Sequence, residues 1–207
     1  MRFHDVEQNS DAWFELRLGK ATASNFACFM ANYGKAFGDP ALRYALKLAL
    51  ERSTGRRAEY SFSNEHMERG HEQEPVARMR YEEENFVDVC NGGFFDCGDH
   101  GDSPDGLVGE DGGIEIKSVI APTHYATMRR GSFDPAYRWQ LIGHLDCTGR
   151  EWFDFVSFCD DFPEPLKLIT HRIWRKDCED EISRLRERRE QFLQLVNETF
   201  SQLQEAA

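Results

Sequence analysis

The sequence predicts an α/β domain in which helices cover both faces of a central mixed sheet, an α/β/α core. Helical patterns come first along the chain, strand patterns cluster in residues 87–119, and two further strand patterns precede a long closing helix. The chain has 207 residues and 40% of them are hydrophobic, which suits one domain over residues 1–207. We therefore expect a sheet of four or five strands in a single globular unit.

Helices dominate the part of the chain that precedes the sheet. They are predicted over residues 11–19, 25–32, 41–53 and 63–84. Gly19 ends the first helix, because glycine is favoured just after a helix C-terminus. Ser24 or Thr22 is expected to cap the second one. The inward face of the fourth helix is predicted to contain Met67, Gly70, Pro75, Val76, Met79 and Tyr81.

The middle of the chain carries strand signals. Residues 85–90 and 93–97 are predicted to form a hairpin, because Asn91-Gly92 between them is a strong turn signal. The elements that follow are a strand, two short helices, two strands and a closing helix, over residues 114–118, 122–130, 134–146, 151–159, 166–174 and 177–203.

The closing helix is amphipathic. Its apolar stripe consists of Ile182, Leu185, Phe192, Val196, Phe200 and Leu203. The basic cluster at residues 184–189 alternates with acids, so we expect it to be a solvated face and not a DNA-binding patch.

Composition excludes several classes of protein. There is no apolar run long enough to cross a membrane and no N-terminal signal region, so a cytoplasmic protein is expected. The six cysteines are scattered, which indicates thiols and not disulfides. Cys90, Cys97 and His100 do not have the spacing of a standard zinc site. The net charge of −12 argues against a general nucleic-acid binder, although residues 1–57 carry a net charge of +3.

The strongest chemical signal is Ser103-Pro104-Asp105-Gly106 followed by Glu115-Ile116-Lys117. Side chains two apart on a strand share a face, so Glu115 and Lys117 project together, and the glycine-rich turn before them brings Asp105 alongside. Carboxylate oxygens are the ligands that Mg²⁺ prefers, and a neighbouring lysine can orient water or offset charge. The pattern predicts a metal-dependent phosphodiester-cleaving centre. A turn with an exposed ion pair remains the alternative.

A second signal lies near the N-terminus. Trp13 and Arg17 are four residues apart and share a helix face. With the hydroxyls of Thr22 and Ser24 at the start of the next helix, Arg17 makes a candidate anion site. The alternative is an ordinary cap beside a surface arginine.

Two helices present further polar candidates. Glu74, four residues after Gly70, is either a solvated carboxylate or a third acid aimed at the centre. Tyr137, Gln140 and His144 share one face of another helix, where they either pack or hold a water or phosphate near the metal.

Taken together, these residues resemble a known family. Pro104-Asp105 with Glu115-Ile116-Lys117 is similar to the signature of the PD-(D/E)xK nucleases, whose fold is restriction-endonuclease-like. The chain resembles more closely the lambda exonuclease family, also called YqaJ-like viral recombinases or phage alkaline exonucleases. The matching features occur in the family's order, at residues 11–24, at Gly70-x-x-x-Glu74, at residues 103–117 and at Tyr137-x-x-Gln140.

The resemblance implies roles for individual residues. Asp105, Glu115 and the carbonyl of Ile116 would bind Mg²⁺ (two ions, with Mn²⁺ as a substitute), and Lys117 would activate water. Glu74 would assist near the second ion, and Gln140 and Tyr137 would support the water or the scissile strand. The implied substrate-binding set comprises Arg17 and Ser24 on the terminal 5′-phosphate, Thr22, Ser103, and Trp13 as a wedge against the end base pair.

The resemblance also implies an activity and partners. It implies a 5′-to-3′ exonuclease on linear double-stranded DNA that leaves 3′ single-stranded tails. The expected partners are a homotrimer ring around the DNA and a single-strand annealing protein, in the cytoplasm of a bacterial host. The rival hypotheses are an endonuclease of the same superfamily and a catalytically inactive nuclease fold that only binds DNA.

Overall fold

The computed structural model describes residues 1–58 and 65–206, with side chains omitted for residues 65–68 and 71. Its larger sheet is mixed and has the order β3–β6–β7–β8–β9. These strands are Val89–Cys90, Gly106–Val108, Gly112–Ser118, Trp152–Phe158 and Leu168–Trp174. β7 and β8 are parallel, and the other neighbours are antiparallel. The predicted α/β class is confirmed, and the five strands seen within the described ranges match the upper expectation.

A smaller sheet has the order β1–β4–β5–β2. Its strands are Arg2–His4 (β1), Ala21–Thr22 (β2), Phe94–Asp96 (β4) and His100–Asp102 (β5). The predicted hairpin is therefore wrong, because β3 pairs with β6 in the larger sheet whereas β4 pairs with β1 and β5. Gly92 lies at the crossing between the sheets, and a Cβ added there would lie 1.7 Å from the carbonyl oxygen of Pro104. Glycine is needed at position 92 because the Pro104 backbone leaves no room for a side chain, and not because the chain forms a hairpin turn there.

The helices pack on both faces of the larger sheet. They are Asp11–Arg17 (α1), Phe26–Met30 (α2), Asp39–Thr54 (α3), Glu65–Asn85 (α4), Ala121–Arg130 (α5), Arg138–Thr148 (α6) and Glu179–Glu205 (α7). Short 3₁₀ turns precede α2, α6 and α7, over Ala23–Asn25, Pro135–Tyr137 and Arg175–Asp177. No helix in the described part of the chain is long and apolar enough to cross a membrane.

Strand β8 separates two apolar cores by its alternation. Phe153 and Phe155 face the larger core, which contains α2, α3, α6 and α7. Val156 and Phe158 face the smaller core beneath α4, together with Ile114 and Ile116 of β7. Side chains alternate along a strand, and Glu115 lies between Ile114 and Ile116 on β7. Glu115 therefore faces away from the smaller core and towards α6.

Helix α4 covers its face of the sheet through a polar anchor. Tyr81 is fully buried and its hydroxyl donates to Oδ2 of Asp154 at 2.6 Å, while Arg172 donates to both carboxylate oxygens at 2.8 Å. The expected inward face of α4 is partly wrong, because Pro75, Val76 and Met79 are exposed. Ala77 and Tyr81 carry the packing in their place, and Met67 lies outside the described side chains.

Helix α7 packs along α3 through the predicted stripe, in which Ile182, Leu185, Phe192 and Val196 are buried. The prediction of a solvated basic face at residues 184–189 is only half right. Arg188 is buried and donates to the carbonyls of Phe29 and Lys35, and Arg189 is buried against Asp146. These arginines are buried because α7 also packs against α2 and α6, and carbonyl and carboxylate oxygens on α2, in the loop after it and on α6 accept their hydrogen bonds.

Phe192 provides a test of this packing. It is fully buried, with ring centroids 4.6 Å from Phe29 and 5.4 Å from Tyr44. Phe192→Ala should lower the free energy of unfolding by about 3–5 kcal/mol, because it opens a cavity in the larger core. Phe86→Ala is the control, since Phe86 is 93% exposed; it should change the value by no more than about 0.5 kcal/mol. Urea unfolding measures both, and equal effects would contradict the packing described.

Candidate active site

Strand β7 presents Glu115 and Lys117 on one face and buries Ile114 and Ile116 on the other. Nζ of Lys117 lies 2.5 Å from Oε1 of Glu115. Only 1% of Glu115 is exposed, so this is not a surface ion pair, and that alternative is excluded. Burial opposes the charge on Lys117, but Glu115 and Asp105 hold the pKa of Lys117 above its ordinary value. Lys117 is thus an ammonium inside the site.

Asp105 is joined to the same strand. β6 pairs with β7 only as far as Ile114, so the amide of Ile116 is not reached by β6, and it donates to Oδ2 of Asp105 at 2.6 Å. Burial, and then repulsion by Glu115, raise the pKa of Asp105 well above its usual range. Two carboxylates are therefore held side by side, as the sequence predicted.

Helix α6 supplies further partners for Glu115. Nε2 of Gln140 donates to Oε1 at 2.6 Å, and the ring of His144 contacts Oε2 through Nε2 at 2.8 Å. Burial disfavours the charged form of Glu115, but Lys117 and His144 lower its pKa to about 2. The carboxylate is thus held ionised by three donors on two rigid elements.

His144 is the residue whose importance the sequence left open. Its Nδ1 lies 2.7 Å from Oδ2 of Asp102 on β5, so both ring nitrogens contact carboxylates. Burial disfavours the imidazolium, but Asp102 and Glu115 raise the pKa of His144 to about 10. Helical spacing from Gln140 pointed to this face, but no local signal identified Asp102, because the two residues are brought together only by the fold.

Tyr137 lies in the 3₁₀ turn that precedes α6. Its ring packs against Phe155, with centroids 5.1 Å apart, and Nζ of Lys117 lies 5.4 Å from the centre of the tyrosine ring. Tyr137 therefore borders the lysine and does not hydrogen-bond Glu115 as Gln140 does.

The candidate anion pocket forms around Arg17. The guanidinium lies 3.9 Å from the ring centre of Trp13, as expected for residues on one helix face. Oγ of Ser103 accepts hydrogen bonds from Trp13 Nε1 at 2.8 Å and from Arg17 Nη1 at 3.0 Å. Within residues 1–58 and 65–206 Arg17 forms no ion pair, and burial lowers its pKa. A half-buried cation with a neutral partner is suited to receive an anion.

Ser24 and Thr22 lie beside this pocket. Their hydroxyl oxygens are 3.3 Å apart, and Nδ2 of Asn25 donates to both. The expected capping role is wrong, because neither hydroxyl bonds a backbone amide at the start of the 3₁₀ turn or of α2. Ser24 is exposed, whereas Thr22 is buried and its amide donates to the hydroxyl of Tyr44.

One cleft of about 410 Å³ unites most of the predicted site residues. It is lined by Trp13, Arg17, Ser24, Glu74, Ser103, Asp105, Glu115, Ile116, Lys117 and Gln140. Glu74 and Gly70 reach it from α4, and Glu74 contributes to the raised pKa of Asp105. Thr22 lines a smaller neighbouring pocket that shares Trp13 and Arg17 with the cleft. The structure thus brings together the carboxylates, the lysine and the anion pocket.

The chain is similar to known nucleases. The chain matches the YqaJ-like viral recombinase domain over residues 12–151. It is similar to an alkaline exonuclease of known structure from Laribacter hongkongensis, with 35% identity, coverage of 95% of this chain and 97% of that one, and a TM-score of 0.85. A structure of that exonuclease in complex with dAMP gives 34% identity, coverage of 96% and 100%, and a TM-score of 0.81.

A more distant structure supports the fold alone. A phage related exonuclease from Haemophilus somnus has 15% identity, coverage of 90% of this chain and 96% of that one, and a TM-score of 0.67. No curated protein sequence matches the chain.

The mixed sheet, the clustered Asp105, Glu115 and Lys117, and the match to a known exonuclease define the class of the protein as a nuclease with a restriction-endonuclease-like fold. Among such enzymes, the chain belongs to the YqaJ-like viral recombinase family, the family of lambda exonuclease and the phage alkaline exonucleases. The resemblance inferred from residues 11–140 is thereby confirmed.

The charge on His144 has a measurable consequence for stability. Its pKa is about 10 in the folded chain against 6.5 ordinarily, so its contribution is complete below pH 6.5 and lost as the pH rises through about 10. His144→Gln should therefore flatten the fall in unfolding free energy between these pH values. Urea unfolding in the presence of a chelator, at several pH values, measures this slope.

His171→Gln is the matched control for this measurement. Burial lowers the pKa of His171 below 6.5, so its titration falls outside the window and the wild-type slope should remain. Equal slopes in the wild type and in His144→Gln would contradict the charged pairing with Asp102 and Glu115.

Proposed function

We propose that this nuclease is a Mg²⁺-dependent exonuclease that degrades one strand of linear double-stranded DNA in the 5′-to-3′ direction and leaves a 3′ single-stranded tail. The observation that carries this proposal is the shared cleft, in which the Arg17–Ser103 pocket and the Asp105–Glu115–Lys117 centre line the same cavity. An endonuclease has no need of a fixed anion pocket beside its cutting centre. An enzyme that starts from phosphorylated ends needs one.

The donor set fits hard divalent cations. Asp105, Glu115 and the carbonyl of Ile116 offer oxygen ligands of the kind that Mg²⁺ prefers. Repulsion between the two carboxylates favours a cation between them. When bound, the metal ions supply activation of water and stabilisation of charge on the phosphoryl group. Glu74 would assist in binding near the second ion.

Lys117 would act as a donor in this chemistry. Its ammonium is stabilised by Glu115, so orienting the attacking water and offsetting developing charge suit it better than removing a proton. Gln140 would hold Glu115 in the ligand position, and Tyr137 would limit the space around Lys117. His144 would act as a positioning residue behind Glu115.

The anion pocket would hold the terminal 5′-phosphate. Arg17 can grip phosphate through paired donors, and the hydroxyls of Ser103 and Ser24 line the same cleft. Trp13 is only 9% exposed, and its ring packs against the guanidinium of Arg17. We therefore assign Trp13 to positioning Arg17 and not to a wedge against the end base pair. Thr22 would act indirectly, through its contact with Ser24.

Each cut would generate a new 5′-phosphate, whose attraction to Arg17 would draw the strand forward by one nucleotide. The products would be 5′-mononucleotides. The exonuclease from Laribacter hongkongensis in complex with dAMP supports this, since dAMP is a mononucleotide of that class.

The assembly and its partners are inferred from the family. We propose a homotrimer ring around DNA that works with a single-strand annealing protein in the cytoplasm of a bacterial host. A net charge of −12 disfavours tight DNA binding over the whole surface, whereas residues 1–57 carry +3. A channel lined by this basic segment would keep the enzyme on DNA by enclosure, with little need for affinity.

End-labelled DNA tests the reaction and its polarity. With Mg²⁺, a label at the 5′ end of linear duplex should be released early as a mononucleotide, while a 3′ label should stay in long fragments. Chelator should abolish release of the 5′ label, and Lys117→Ala should slow this release by about 10²–10³-fold. Cutting of a closed circle, or early release of the 3′ label, would refute the proposal.

The phosphate pocket makes a separate prediction. Duplex with a 5′-phosphate should be digested roughly tenfold or more faster than duplex with a 5′-hydroxyl, because a hydrogen bond to a charged group contributes about 1.5–3 kcal/mol. Arg17→Ala should shrink this ratio. Arg43→Ala, an exposed arginine on α3, should leave the ratio unchanged. Equal rates on both substrates in the wild type would exclude the pocket.

A further inference from the structure

A second group of potential ligands lies apart from the cleft. It consists of Cys97, on the turn between β4 and β5, His100, the first residue of β5, and Cys147, near the C-terminal end of α6. The two sulfur atoms and a ring nitrogen all lie within 4.8 Å of one another. We propose that this cluster binds one thiophilic divalent metal ion, and that zinc is the ion its ligands favour.

The turn is arranged to present two ligands together. The amide of Cys97 donates to the carbonyl of His100 at 3.0 Å, which closes the turn between them. Gly98 has a φ of 91°, and its amide donates to Oδ1 of Asp96 at 2.9 Å. Two ligands three residues apart on a tight turn are typical of one half of a protein zinc site.

Cys147 completes the set from another element. It is 1% exposed, and Sγ of Cys97 lies 3.6 Å from its carbonyl oxygen, so the turn already rests on this end of the helix. The sequence predicts no zinc site from Cys90, Cys97 and His100, and in the structure Cys147 takes the place of Cys90. Cys90 is on β3 in the other sheet, whereas Cys147 is 47 residues beyond His100 and could not be paired with it by local spacing.

The ligand chemistry separates this cluster from the cleft. Two thiols and an imidazole favour zinc or cobalt, whereas the carboxylates of the cleft favour magnesium. Three protein ligands leave a fourth position for water, and the half-burial of Cys97 and His100 gives solvent access to it.

Metal binding would tie together two elements that also serve the cleft. β5 runs from His100 to Asp102, and α6 carries Gln140 and His144 as well as Cys147. An ion held by all three ligands would fix the β4–β5 turn to the end of α6. Its expected effect is on stability, and it does not depend on the proposed nuclease mechanism.

Cobalt(II) titration of the full chain under reducing conditions tests the proposal. Thiolate ligation produces an intense sulfur-to-cobalt charge-transfer absorption that oxygen ligands cannot give. The wild type should develop this band up to one equivalent and lose it when zinc is added. Asp105→Asn should retain the band, because it alters only the carboxylate centre.

Variants locate the site. Cys97→Ser and Cys147→Ala should each abolish or strongly weaken the band, and His100→Ala should weaken it. Cys90→Ala should leave it unchanged. If Cys147→Ala does not fold, Cys97→Ser and His100→Ala still test the site, because they change only half-buried side chains.

Two results would overturn the proposal. One is the absence of a thiolate band in the reduced wild type. The other is a band that survives Cys97→Ser and His100→Ala. A disulfide between Cys97 and Cys147 that persists in the reduced preparation, detected by mass spectrometry of peptides, would also count against it.

Discussion

The carboxylate of Glu115 is the constraint around which the rest of the structure is arranged. A charged group that is 1% exposed is tolerated only when its oxygens are fully hydrogen-bonded. β7 turns the side chain away from the core beneath α4, and α6 meets it with Gln140 and His144. The two carboxylate oxygens of Glu115 therefore link β7 to α6 and, through His144, to the buried Asp102. This rigidity suits the metal-ligand role proposed for Glu115.

The part of the site that could be predicted from the sequence is the part set by local periodicity. The alternation of β7 placed Glu115 and Lys117 on one face, and helical spacing placed Gln140 and His144 together. Trp13 and Arg17 follow the same rule on α1. In each case the relevant neighbours are two to four residues apart, so backbone geometry alone fixes their relation.

What the sequence could not supply was the contact between distant segments. His144 and Asp102 are 42 residues apart, and Trp13 and Ser103 are 90 apart. The Asn91-Gly92 signal predicts a hairpin because turn chemistry is local, whereas the choice of sheet for each flanking strand depends on long-range pairing. Burial of Arg188 likewise depends on acceptors on α2 and in the loop after it.

Gly92 has no functional group, yet it limits both halves of the site. The backbone of Pro104 passes so close that any side chain at position 92 would displace it. Pro104 lies between Ser103 of the anion pocket and Asp105 of the carboxylate centre. A single methyl group at Gly92 would therefore displace both the proposed phosphate pocket and the proposed metal site. Loss of activity from a substitution at this position would be a matter of space beneath the loop, with every reactive group still present.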